Sequence, residues 1–157
     1  MGRRLGEHGS RIRKGDEMPK IRAEFKGKYA MDKHEFYTAY HFALQYPKWL
    51  DKYNALGDTS KAIRYDQERV QTSVAAGSSV EDAAIERAEI RHRLDMIEET
   101  AKEVNSCFSE YLIKAVTNEH VTYKYLASVM LIPCSKNLYY DMRREFYYRL
   151  SKKISKF

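Results

Sequence analysis

Residues 122–150 read TYKYLASVMLIPCSKNLYYDMRREFYYRL, and the way this stretch breaks decides the fold. Thr122 is a good helix cap. Tyr125, Leu126, Val129 and Met130 follow at the spacing that lines one helix face with apolar side chains. Pro133 disfavours a helical conformation at Ile132, so that helix stops within residues 131–134. Ser135 then caps a longer helix running through Tyr140, Arg144 and Tyr148 towards the end. A short helix, a turn and a basic second helix form the pattern of a helix-turn-helix.

A helical wheel of the second member, with Leu138 in the core stripe, places Met142, Phe146, Arg149, Leu150 and Ile154 inward. Lys136, Asn137, Tyr140, Arg143, Arg144 and Tyr147 then face outward, with no acid at the centre of that face. With the capping Ser135 they form the expected DNA-contacting set. Arginine pairs bidentately with guanine and asparagine with adenine, while lysine and tyrosine commonly go to phosphate. The turn is looser than the tight form of the motif. Ala127 to Leu138 spans eleven positions, and Leu131 stands where a glycine is usual.

Upstream of this stretch, Phe108, Leu112, Ala115 and Val116 mark a further amphipathic helix ending near Asn118. Ile90, Leu94, Ile97, Ala101 and Val104 recur at intervals of four and three within residues 80–104, which hold neither Gly nor Pro. Ser78 or Ser79 is expected to cap that helix, and its seam is expected to pack on the first two helices, with a homodimer as the alternative. Asp32 and Glu35 make a capping box ahead of Phe36, Tyr40, Ala43 and Leu44. Pro47 is placed to open a second helix, carrying Trp49, Leu50 and Tyr53, that is expected to stop at Gly57. Residues 57–78 read as a mobile polar loop. The division predicted is an arm (1–31), a helical module for self-association or partner contact (32–104) and a DNA-binding domain (105–157), all-α throughout.

The segment Leu126-Ala127-Ser128-Val129-Met130-Leu131-Ile132-Pro133-Cys134-Ser135, followed by Tyr139-Tyr140-Asp141-Met142-Arg143-Arg144, resembles the C-terminal helix-turn-helix of small regulators encoded by phages and prophages of Gram-positive bacteria. These are the RinA/ArpU-like late-gene activators, whose C-terminal part is similar to region four of sigma factors. Residues 37–66, with Tyr46-Pro47 and Ser60-Lys61-Ala62-Ile63-Arg64-Tyr65-Asp66, also look like prophage proteins of this kind. The resemblance implies sequence-specific binding of promoter DNA and recruitment of RNA polymerase.

Charge is unevenly distributed along the 157 residues. Residues 1–30 hold nine basic and four acidic side chains, residues 31–120 eleven and sixteen, and residues 121–157 eight and two. Two basic ends on an acidic body suit a polyanion binder. No apolar run is long enough to span a bilayer, and the first thirty residues lack the apolar stretch of a secretory signal, so a cytoplasmic protein of the bacterial host is expected. Cys107 and Cys134 are too few for a disulfide framework and read as small core residues. No metal-ligand spacing, nucleophile arrangement or phosphate-cradling loop is present, so neither an enzyme nor a cofactor is expected. The expected partners are double-stranded DNA, RNA polymerase and a second copy in a homodimer or higher oligomer. The alternatives are a small-terminase-like packaging protein and a mobile-element inhibitor directed at a host polymerase or defence nuclease.

Overall fold

The computed structural model describes residues 27–62 and 76–156. The expectations for residues 1–26 and 63–75 lie outside the described residues. Every regular element among the described residues is helical: α1 (Lys33–Leu44), α2 (Tyr46–Ala62), α3 (Ala76–Val104), a 3₁₀ turn (Ser106–Phe108), α4 (Ser109–Val116), α5 (Tyr123–Ser128) and α6 (Lys136–Ile154). None of the described helices is long and apolar enough to cross a membrane.

The capping box opens α1. The Asp32 carboxylate accepts from the His34 amide at 2.8 Å, and the Glu35 carboxylate accepts from the Asp32 amide at 3.3 Å. This satisfies amides that the helix itself cannot pair. Phe36, Ala39 and Ala43 form the buried side of α1. Pro47 enters α2 in its first turn, where its missing N–H costs nothing.

Two expectations about helix ends are corrected. Gly57 does not stop α2, which continues to Ala62. The Arg87 guanidinium of α3 lies over Gly57, and a Cβ there would meet Arg87 Nη2 at 3.0 Å. The same guanidinium stacks on Tyr53, 4.5 Å from the ring centroid. Gly57 therefore permits a close approach between helices instead of ending one. In addition, α3 begins at Ala76, ahead of the expected caps, so only part of the predicted loop lies between helices.

The α3 seam is covered within the chain. Ile90, Leu94, Ile97 and Ala101 are buried, and α3 packs on α2, α4 and α6. Tyr46 ties the start of α2 to α3 by donating to Glu98 at 2.9 Å. The main core gathers Met31, Phe36, Ala39 and Ala43 with Met96, Ile97 and Ala101, then Leu112 and Val116 of α4, then Phe146, Tyr147 and Leu150 of α6. This core crosses position 104/105, so α4 and the C-terminal half of α6 share apolar burial with the N-terminal helices.

A second, smaller core holds Ala115, Val121, Leu126, Ile132 and Tyr139. The long helix α6 joins the two, with Tyr139 in the small core and Phe146 in the large one. Residues 29–31, expected in the arm, are anchored. Met31 is buried, and Tyr29 donates to Glu145 at 2.7 Å. Cys107, expected inside, is exposed on the 3₁₀ turn, while Cys134 is half-buried. The Asn105 side chain shapes that turn by accepting from the Cys107 amide at 3.0 Å.

Candidate nucleic-acid interface

Leu126 of α5 and Tyr139 of α6 meet in the small core. Thr122 caps α5, accepting from the Tyr125 amide at 3.4 Å, and Ser135 caps α6, accepting from the Leu138 amide at 3.3 Å. Between them the chain hooks back on itself, the Ile132 amide donating to the Leu126 carbonyl at 3.0 Å. The reversal passes through Leu131 at φ 52°, the left-handed region that costs a non-glycine residue about 1 kcal/mol or more. Tyr123 donates its hydroxyl to the Cys134 carbonyl at 2.8 Å, and its ring lies 5.4 Å from that of Tyr139. These contacts tie the start of α5 to the start of α6.

Of the seven expected DNA-contacting residues, Ser135, Lys136, Asn137 and Tyr140 are exposed together over the first turns of α6. Arg144 is half-exposed and ion-paired with Asp141. Arg143 and Tyr147 are not outward, as the wheel predicts; they are 8% and 1% exposed. Leu138 and Arg149, expected on one edge of the core stripe, are exposed, Leu138 at 44%.

The helix is therefore rotated about its axis relative to the expectation. The cause is α1, whose aromatic side chains claim the far edge of α6. Phe36 meets Tyr147 edge-on at 5.2 Å, and Tyr40 meets it at 6.1 Å. Asp141 is exposed on the same helix, so its outward side carries an acid.

Arg143 is left in an unusual position. Its Nη1 donates to the Tyr139 hydroxyl at 3.4 Å, its guanidinium carbon lies 5.9 Å from the Tyr147 ring centroid, and its Nε is buried without a partner. No carboxylate among the described residues is paired with it. The Tyr147 hydroxyl is close enough to the guanidinium to feel its charge but makes no well-formed hydrogen bond. Burial pushes both the Tyr139 and Tyr147 hydroxyls above the usual tyrosine range, with the guanidinium pulling the other way. Nearby, burial and the 3.1 Å hydrogen bond donated to Glu119 push Tyr40 up to about 12.

The charge of the C-terminal block is largely answered within the molecule. Arg149 pairs with Glu145 at 2.7 Å, Lys152 with Glu35 at 3.3 Å, and Lys153 with Glu103 at 2.9 Å. The exposed lysines at the α5–α6 corner are Lys124 and Lys136. Sequence reasoning missed the exposed apolar side chains beside them, Val129 at 61% and Leu131 at 75%. The run of apolar residues at 129–132 carries no periodicity that separates the inward Ile132 from the outward Leu131. The positive φ at 131, which aims that side chain away, is a tertiary outcome. Among the described residues no group of three or more His, Cys, Asp or Glu side chains is assembled as a metal ion would require.

Comparison with protein-family models, with curated proteins and with solved structures finds no match to this chain.

Proposed function

We propose that this chain binds double-stranded DNA through a helix-turn-helix formed by α5 and α6, and that it acts as a transcriptional regulator of the phage type that its sequence resembles. One observation carries the reading: a short capped helix is followed by a long capped helix whose first turns expose Lys136, Asn137 and Tyr140. A recognition helix reaches base edges with these turns.

The burial found above revises the contact set. Lys136 and Tyr140 serve phosphates, and Asn137 serves an adenine edge. Arg144 approaches the duplex together with its partner Asp141, whose carboxylate is an acceptor suited to a cytosine amino group. Arg143 and Tyr147 hold α6 in place and leave the reading surface. Lys124 on α5 adds a second cation on the same corner for the backbone.

The test is binding of the full chain to a pool of random-sequence duplexes at two salt concentrations, with selection and sequencing of the bound fraction. Lys136→Ala should reduce the dependence of log K on log salt by about 0.9, the value for one lost phosphate contact. Asn137→Ala should change the recovered sequence more than the overall affinity. Absence of any enriched sequence, with a salt slope near zero, would refute the reading.

Val129 and Leu131 support a second reading, in which the same corner docks on a protein such as a host polymerase or nuclease, because large exposed apolar side chains are common at protein interfaces. Retention of one host protein from a nuclease-treated lysate by the wild type, and its loss with Leu131→Asp, would favour that role.

A further inference from the structure

Seven large hydrophobic side chains stand exposed among the described residues, and five of them, Tyr125, Val129, Leu131, Leu138 and Tyr140, fall within residues 125–140. Single exposed apolar residues are ordinary, but five of the seven within one short stretch of sequence are more than a scattering. Leu138 is the one of the five in the first turn of α6. It is the third residue of α6, its amide is held by Ser135 Oγ at 3.3 Å, and it directly follows the exposed Lys136 and Asn137. The helix start therefore presents a cation, an amide and an aliphatic group in succession.

In the major groove the apolar group on a base edge is the C5 methyl of thymine, and the amide partner of asparagine is the adenine N6/N7 edge. Both belong to an A·T pair. We infer that Leu138 reads a thymine methyl group, with Asn137 taking an adenine edge beside it, so the favoured duplexes carry A·T pairs where α6 enters the groove. The inference rests on the DNA-binding reading above and adds the base class that the site selects. Lys124, Lys136 and Asn137 are exposed within the same stretch of sequence, which suits a polyanion bearing methyl groups better than an uncharged apolar protein surface.

The experiment uses duplexes recovered by the random-pool selection, resynthesised with deoxyuridine in place of thymidine. This removes the methyl and leaves base pairing intact. The wild-type chain should bind the uracil version about fourfold more weakly, the loss expected for one buried methyl group. Leu138→Ala should bind both versions alike, and Leu138→Met, which keeps an apolar side chain there, should retain the preference.

Equal wild-type affinity for the two versions overturns the thymine assignment and leaves DNA binding standing. A preference that survives in Leu138→Ala assigns the methyl to another side chain and likewise overturns it. Failure to enrich any duplex removes the DNA-binding reading and this inference together. The wild-type comparison needs no variant, so it can overturn the assignment even if Leu138→Ala does not fold, and Leu138→Gln serves as a second variant that should lose the preference.

Discussion

Arg143→Met should make the protein more stable, against the usual direction for a substitution at a buried site. Arg143 is 8% exposed and lacks a carboxylate partner among the described residues, and its Nε has no hydrogen-bond acceptor. An unsatisfied buried donor costs about 1–3 kcal/mol, and removing the charge from water adds to that. Against this stand a long 3.4 Å bond to Tyr139 and a contact with the Tyr147 ring worth about 0.5–1 kcal/mol. The substitution also leaves the Tyr139 hydroxyl unpaired, a neutral group that is cheaper to bury alone than a cation.

Methionine fills most of the same volume and adapts to its neighbours. The balance is a gain of about 1 kcal/mol, in line with other replacements of buried charges by apolar residues. For a chain of this size that raises the melting midpoint by about 3 °C. Thermal unfolding followed by circular dichroism measures it, with Arg143→Ala as the control that leaves a cavity and should not gain. A midpoint several degrees below wild type for Arg143→Met would show that the guanidinium is well satisfied in the core. Salt-dependent DNA binding should be unchanged by Arg143→Met, since the side chain does not reach the surface of α6.

Three further outcomes follow from the packing. Phe146→Ala empties the centre of the main core and should cost about 3–5 kcal/mol in urea-unfolding stability; a loss below 1 kcal/mol would mean that Phe146 is not enclosed as described. Asp32→Ala removes the side-chain half of the α1 capping box and should cost about 1 kcal/mol in the same assay, with Asp32→Asn losing less. Burial and the hydrogen bond to Glu98 push Tyr46 up to about 12, above the ordinary value near 10, so its proton is retained in the folded state after the unfolded chain has lost it. The stability tied to that proton is fully present below pH 10 and is lost as the pH rises towards 12. Urea midpoints should therefore fall between pH 10 and pH 12 more steeply for wild type than for Tyr46→Phe, and equal slopes would contradict the assignment.

Local chemistry made the starts of α1, α5 and α6 legible. Asp32 with Glu35, Thr122 and Ser135 each satisfy amides within three residues of themselves, so no distant contact is needed to foresee them. The seam from Ile90 to Ala101 was equally legible, because an aliphatic stripe has one side that water disfavours. The phase of α6 was harder to read. Its four tyrosines each have an apolar ring and a polar tip, so the pattern alone does not say which of them turns inward. The answer came from Phe36 and Tyr40, more than a hundred residues earlier, which bury Tyr147 and carry Arg143 in with it.

Gly57 shows the same limit in another form. The local rule reads a stop, and a side chain thirty residues later, Arg87, makes the glycine a point of close approach. The expected division at position 104/105 followed the change from one long helix to several short ones. The core ignores that change, because Leu112, Val116, Phe146 and Leu150 complete the apolar faces of α1 and α3.

Residue-resolved NMR of the full chain, titrated with a duplex from the random-pool selection, reads out whether the start of α6 meets DNA. The first amides of α6 have no intrahelical carbonyl to donate to, so they respond strongly to an approaching phosphate or base. The account predicts shifts concentrated at residues 135–141, at the Asn137 side-chain amide, at the Leu138 methyl groups and at Lys124, with α1 and α2 undisturbed. Shifts centred on α2 and α3, or a spectrum unchanged by saturating duplex, would contradict it.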